Sequence, residues 1–128
     1  MNNMYVSAAV APSAIPQIIR RPFLVNGYFE EIAFRFYPGQ MLDLELTARV
    51  QQAGGSMVEI VAGGDMGALI AGDDDTLKFS AGLFVRRGEV LEIMARNKTV
   101  IPDGESPEDY TYNFQVILSM QEVAENGR

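Results

Sequence analysis

Three consecutive carboxylates, Asp73, Asp74 and Asp75, form the densest cluster of potentially reactive groups in the sequence. A hard cation such as calcium needs several converging oxygen ligands, and an acidic loop supplies some of them. The alternating acids and closing glutamate of an EF-hand are absent. Adjacent side chains on a tight turn point apart, so GDDDT reads as a solvated turn and no metal site is expected.

The residue types that carry most enzyme chemistry are missing. With no cysteine there is no disulfide, no thiolate ligand and no cysteine nucleophile. With no histidine, the commonest general base and metal ligand is gone, as is every serine–histidine arrangement. Carboxylates, lysines and tyrosines remain available for acid–base work, but the expectation is a protein that is not an enzyme and holds no cofactor. The glycines at 54–55, 63–64 and 67 match neither GxxxxGK[ST] nor GxGxxG, and they suit hairpin and bulge positions better than a phosphate loop. Arg86, Arg87 and Lys98 make a small basic spot that fits either ordinary solvated charge or an acidic partner patch. A sugar platform would draw on Tyr5, Tyr28 or Tyr37, because there is no tryptophan.

These residues are positioned by strands. Leu42, Leu44, Leu46, Ala48 and Val50 alternate with polar residues, the period-two pattern of a half-buried antiparallel strand. Tyr28–Tyr37 places Ile32, Phe34 and Phe36 on one face and ends at the Pro38-Gly39 turn. Met57–Ala62, Met66–Ala71, Leu77–Ser80, Leu83–Val85 and Val90–Arg96 follow as shorter strands. Asn97–Asp109 is a polar loop. Tyr110, Tyr112, Phe114, Val116, Leu118 and Met120 then alternate strictly with mostly polar neighbours, so this last strand should lie centrally in a sheet. Seven or eight strands at about ten-residue spacing predict an all-β antiparallel sandwich or jelly roll.

The first 22 residues differ from the rest. They hold Arg20, Arg21 and no acid, whereas residues 23–128 hold the other 8 basic residues and all 17 acidic ones, a balance of −9. Pro12, Pro16 and Pro22 bar a helix and favour extended backbone. Tyr5, Val6, Val10, Ile15, Ile18 and Ile19 therefore form an apolar extended segment that needs a surface to cover. It either folds back as an edge strand of its own domain or lies across a neighbouring subunit. The expected organisation is an N-terminal arm over residues 1–22, a β-sandwich over 23–121 and a polar tail over 122–128.

A chain of 128 residues with 48% hydrophobic and 21% charged content fits one globular domain. Its net charge of −7 opposes binding to nucleic acid, which takes a basic face. The apolar run Tyr5–Ala11 lacks a preceding basic region, so a signal peptide is not expected. No apolar stretch approaches about 18 residues, so no membrane span is expected.

The stretch Leu83–Asn97 (LFVRRGEVLEIMARN) ends one strand in a basic pair, turns at Gly88 and enters an alternating strand. Together with the proline-marked arm and the regular final strand, it resembles small jelly-roll bacteriophage capsid decoration (cement) proteins. The resemblance implies a virion structural protein, assembled in the host cytoplasm, that binds the major capsid protein or another virion subunit, as a homo-oligomer and by preference a trimer. It assigns no role to individual residues. The same cadence occurs in carbohydrate-binding modules and trimeric ligand domains, so a sugar- or receptor-binding sandwich is the alternative.

Overall fold

The computed structural model describes residues 2–40, 43–60 and 70–123. Among them nine strands are formed: β1 (Asn2–Val10), β2 (Gln17–Pro22), β3 (Gly27–Phe36), β4 (Leu44–Gln51), β5 (Met57–Glu59), β6 (Ile70–Ala71), β7 (Asp75–Val85), β8 (Val90–Asn97) and β9 (Tyr112–Glu122). One sheet has the order β1-β9-β3-β7, and the other β2-β8-β4-β5, with β6 also pairing β4. Every strand pairing is antiparallel. Apart from the two-residue β6, this is the strand order of a jelly roll. Successive strands cross from one sheet to the other, except that β4, β5 and β6 all belong to the second sheet.

The inner faces meet in one core. Phe29, Ile32, Phe34, Phe36, Phe114 and Leu118 come from the first sheet, and Leu44, Leu46, Val50, Leu91 and Ile93 from the second. Burying each such side chain contributes about 1.5–3 kcal/mol relative to exposure. Phe29 and Ile32 both point inward although they are three residues apart. Strict alternation forbids this, and a register shift between Phe29 and Glu31 resolves it. On the β7 side of the shift, Gly82 takes φ +68°, which a residue without Cβ adopts cheaply. That bulge carries β7 unbroken from Asp75 to Val85, so the two short strands expected there are one.

The largest departure from the sequence expectation concerns residues 1–22. They are not an appendage: β1 pairs with β9 along nine residues and β2 pairs with β8 along six. Each supplies an edge strand to one sheet, and the crossover between them holds Pro12 and Pro16. The prolines thus mark the passage between sheets, where no ladder donor is needed. Val6, Val10 and Ile19 are buried core residues as a result. β9 runs on to Glu122, and residues 124–128 of the expected tail lie outside the described residues, as does most of the expected strand Met66–Ala71. Tyr110 is not in the last strand either. It closes a one-turn 3-10 helix, Pro107–Tyr110, capped by Ser106. No helix among the described residues is long and apolar enough to cross a membrane.

Candidate partner-binding surface

β1 and β2 edge the two sheets, and the start of β1 meets the end of β2 at one cleft. A cleft of about 250 Å³ is walled by Asn3 and Met4 at the start of β1, Pro22 at the end of β2, and Phe23, Leu24, Val25 and Met120. Along this flank the period-two pattern sorts the expected partner-binding residues into two groups. Val6, Val10 and Ile19 face the core, while Tyr5, Ile15 and Ile18 are 59%, 78% and 53% exposed. Leu24, beside the cleft, is 79% exposed. The flank is apolar and short of charge, since residues 1–19 hold no ionisable side chain but Tyr5.

Of the two arginines that follow, Arg20 is tied to the outer face of the second sheet, while Arg21 donates to the Arg20 carbonyl oxygen. Arg20, Glu92 and Arg49 sit in cross-strand register on β2, β8 and β4. Glu92 Oε2 accepts from Arg20 at 2.6 Å, and Oε1 accepts from Arg49 Nε at 2.7 Å. Arg20 also donates to Gln51 Oε1. The Glu92 side chain is 4% exposed although it points away from the core, because the arginine stems cover it. A buried carboxylate flanked by two guanidinium groups is a structural clamp across three strands.

The end of the sandwich near residue 97 is organised by Asn97. Its backbone bridges Pro12, and its carbonyl oxygen accepts from Ser13 N at 3.1 Å. Lys98 N donates to Asp43 O. An open cleft of about 330 Å³ lies here between Pro12–Ala14 and Arg96–Thr99. Ile15 and the 87%-exposed Val100 stand on the adjoining loops.

The acidic cluster has a structural role. Asp73 Oδ1 accepts from Gly39 N at 2.9 Å and Gln40 N at 3.0 Å, fastening the β3–β4 turn to the turn before β7. Asp74 pairs with Arg35 at 3.1 Å. A Cβ on the buried Gly72 would collide with Phe36 and Asp75, so this turn needs glycine. Among the described residues no three acidic side chains gather as a metal-binding group.

The remaining candidates are spread over the surface. Arg86 and Arg87 stand on the β7–β8 turn, where the buried Glu89 carboxylate accepts from Arg86 N at 2.7 Å and Ala53 N at 2.8 Å. Lys98 reaches Glu45 at 3.5 Å on the opposite end. Tyr28 donates its hydroxyl to Gly82 O, and Arg35 stacks 5.1 Å from the Tyr37 ring centre. Tyr37 also borders an open cleft of about 470 Å³ with Ser7, Ala8, Ala9, Asn113 and Phe114.

No protein-family model matches this sequence, and no curated protein matches it. Solved structures match over nearly the whole chain. The crystal structure of the Yersinia pseudotuberculosis-derived mitogen is 12% identical with a TM-score of 0.49, over 98% of this chain and 91% of that one. A structure of infectious bursal disease virus, Gt strain, is 10% identical with a TM-score of 0.53, over 98% of this chain and 33% of that one. The Gx strain of the virus gives 10% identity, a TM-score of 0.45 and 38% coverage of its chain. The chain thus spans about a third of the viral chains it matches, 33% and 38%. At 10% identity the likeness to the Gt-strain chain is one of fold alone.

Proposed function

We propose that this protein is a non-catalytic virion structural subunit that binds its neighbours through the β1/β2 flank. The observation that carries the reading is the exposure of Tyr5, Ile15, Ile18 and Leu24 within residues 1–24, whose only charged side chains are Arg20 and Arg21, on a protein of net charge −7. Large exposed apolar side chains gathered along one edge of a domain mark a contact surface. The fold shared with a chain of infectious bursal disease virus supports placing that contact in a virus particle. In the finer form of the proposal, the protein decorates the outside of a bacteriophage shell as a homo-oligomer that touches the major capsid protein. The clamp is then the outer half of each edge strand, with the inner half committed to the core.

Gradient-purified particles from infected cells test this. Peptides of this chain should be recovered in near-stoichiometric ratio to the major shell protein. An Ile15→Asp/Ile18→Asp variant, folded by circular dichroism, should be lost from the particles. Particles free of the chain would overturn the reading. The cleft beside Tyr37, Ser7 and Asn113 favours one alternative, a carbohydrate- or receptor-binding module, because it joins an aromatic ring to amide and hydroxyl groups. Glycan binding abolished by Tyr37→Ala, with no particle association, would establish that module instead.

A further inference from the structure

A jelly roll has open edges, and unpaired backbone groups there template pairing with another chain unless something blocks them. Three of this protein's edges carry blocks. β7 bears Asp75 and Lys78 and is bulged at Gly82. β2 ends in Arg20, Arg21 and Pro22. β5 is only three residues long, and two residues of β6 are described. β1 has none of these devices. It runs nine residues in continuous register with β9, without a charge, a proline or a bulge, and among the described residues it pairs on that side alone.

We infer that β1 pairs with β1 of a second copy of this chain, antiparallel about a two-fold axis near Val6, so that the two β1-edged sheets become one. The strand is self-complementary in size. About Val6, the outward Tyr5 faces Ser7 of the other copy and Asn3 faces Ala9, while the inward Met4 faces Ala8. Large residues meet small ones at each of these positions, which is how cross-strand pairs pack well.

Charge favours the same occupant. The outward residues of β1 (Asn3, Tyr5, Ser7, Ala9) and of β9 (Asn113, Gln115, Ile117, Ser119) are all uncharged. β9 carries one charge, Glu122, past the end of its register with β1, and the next charges on this sheet are Glu30, Glu31 and Arg35 of β3. With strands about 4.8 Å apart, β3 of one copy would lie roughly 24 Å from β3 of the other. That exceeds the Debye length of about 8 Å at physiological salt, so two strongly acidic molecules meet here without repulsion between their sheets.

The experiment is native mass spectrometry with sedimentation of the whole chain, alongside Ser7→Lys and Ser7→Glu, which alter one exposed outward position. The wild type should carry two copies, or six if two-fold pairs also build a three-fold ring. Each variant alone should keep its circular dichroism and lose pairing by at least about tenfold through like-charge contact. An equimolar mixture of the two should pair again, as a mixed species. A wild type of one or three copies would overturn the inference. So would a variant that pairs unchanged, or a mixture of folded variants that stays unpaired. Particle association is scored separately, so its loss overturns the virion reading and leaves the pairing measured.

Discussion

Asn97 donates from Nδ2 to the Val10 carbonyl oxygen at 2.9 Å, joining the end of β1 in one sheet to the end of β8 in the other. The same nitrogen reaches Tyr110 O at 2.7 Å, and Oδ1 accepts from Thr99 N at 3.1 Å and Thr99 Oγ1 at 2.6 Å. One buried amide thereby holds the first crossover, the β8–β9 loop and the short 3-10 turn together. Removing it strands several buried groups, so Asn97→Ala should cost about 2–4 kcal/mol in urea unfolding at unchanged m. Asn97→Asp should be no better, because a carboxylate cannot donate to the two carbonyl oxygens. A loss below about 1 kcal/mol would contradict the tie.

Glu92 should behave as a shared partner. Glu92→Gln is expected to cost about 1–3 kcal/mol, less than a fully buried pair because both arginines keep contact with water. The decisive measurement is a double-mutant cycle with Arg20→Ala, where coupling of about 1 kcal/mol is expected. Additive losses would show that the row is only a row of neighbours.

Residues 1–22 cannot be trimmed as a free arm. Their deletion removes one strand from each sheet and should leave no cooperative unfolding transition. Point variants separate the two faces of β1. Val6→Ala should cost about 1–3 kcal/mol, and Tyr5→Ala should stay within about 0.5 kcal/mol. A soluble, cooperatively folded deletion product would refute the assignment of β1 and β2 to the sandwich.

Tyr110 donates its hydroxyl to Glu105 at 2.5 Å. That bond, followed by burial and by the charges of Glu105 and Asp109, raises its pKa above the ordinary 10.0. The folded-state value lies above the unfolded one. Any stability from the contact is therefore complete below the ordinary value and lost as pH climbs through the raised one. Phenolate absorbance should show a Tyr110 step above the ordinary value. Tyr110→Phe should delete that step, and Glu105→Gln should move it down.

Asp73→Ala should cost about 1–2 kcal/mol by releasing two backbone donors. The loss should be equal in chelator and in millimolar calcium. A cost that grows in calcium would overturn the reading of GDDDT as a turn that binds no cation.

Much of the fold was readable because one face of most strands is buried. Leu44 to Val50, Leu91 to Ala95 and Phe114 to Met120 announce their inward sides by period two, and β9 is central as its pattern predicts. β1 has the same pattern at Met4, Val6, Ala8 and Val10. Its alternate residues Ala9 and Tyr5 are not strongly polar, and the downstream prolines fit an arm as well as an edge strand, so the local pattern left both courses open. The candidate surface was half legible, since apolarity located the segment but could not divide Val6 from Tyr5.

The amino-acid sequence by itself determined the all-β class, the turns and the lack of histidine and cysteine chemistry, because these depend on residue type and local spacing. Tertiary structure decided which residues the first strands spend on the core and which they leave outside. Facing and pairing depend on contacts between residues far apart in sequence, such as Val10 with Tyr112 and Arg20 with Glu92. No local pattern encodes such long-range register, so the exposed edge of β1 is a property of the assembled sandwich.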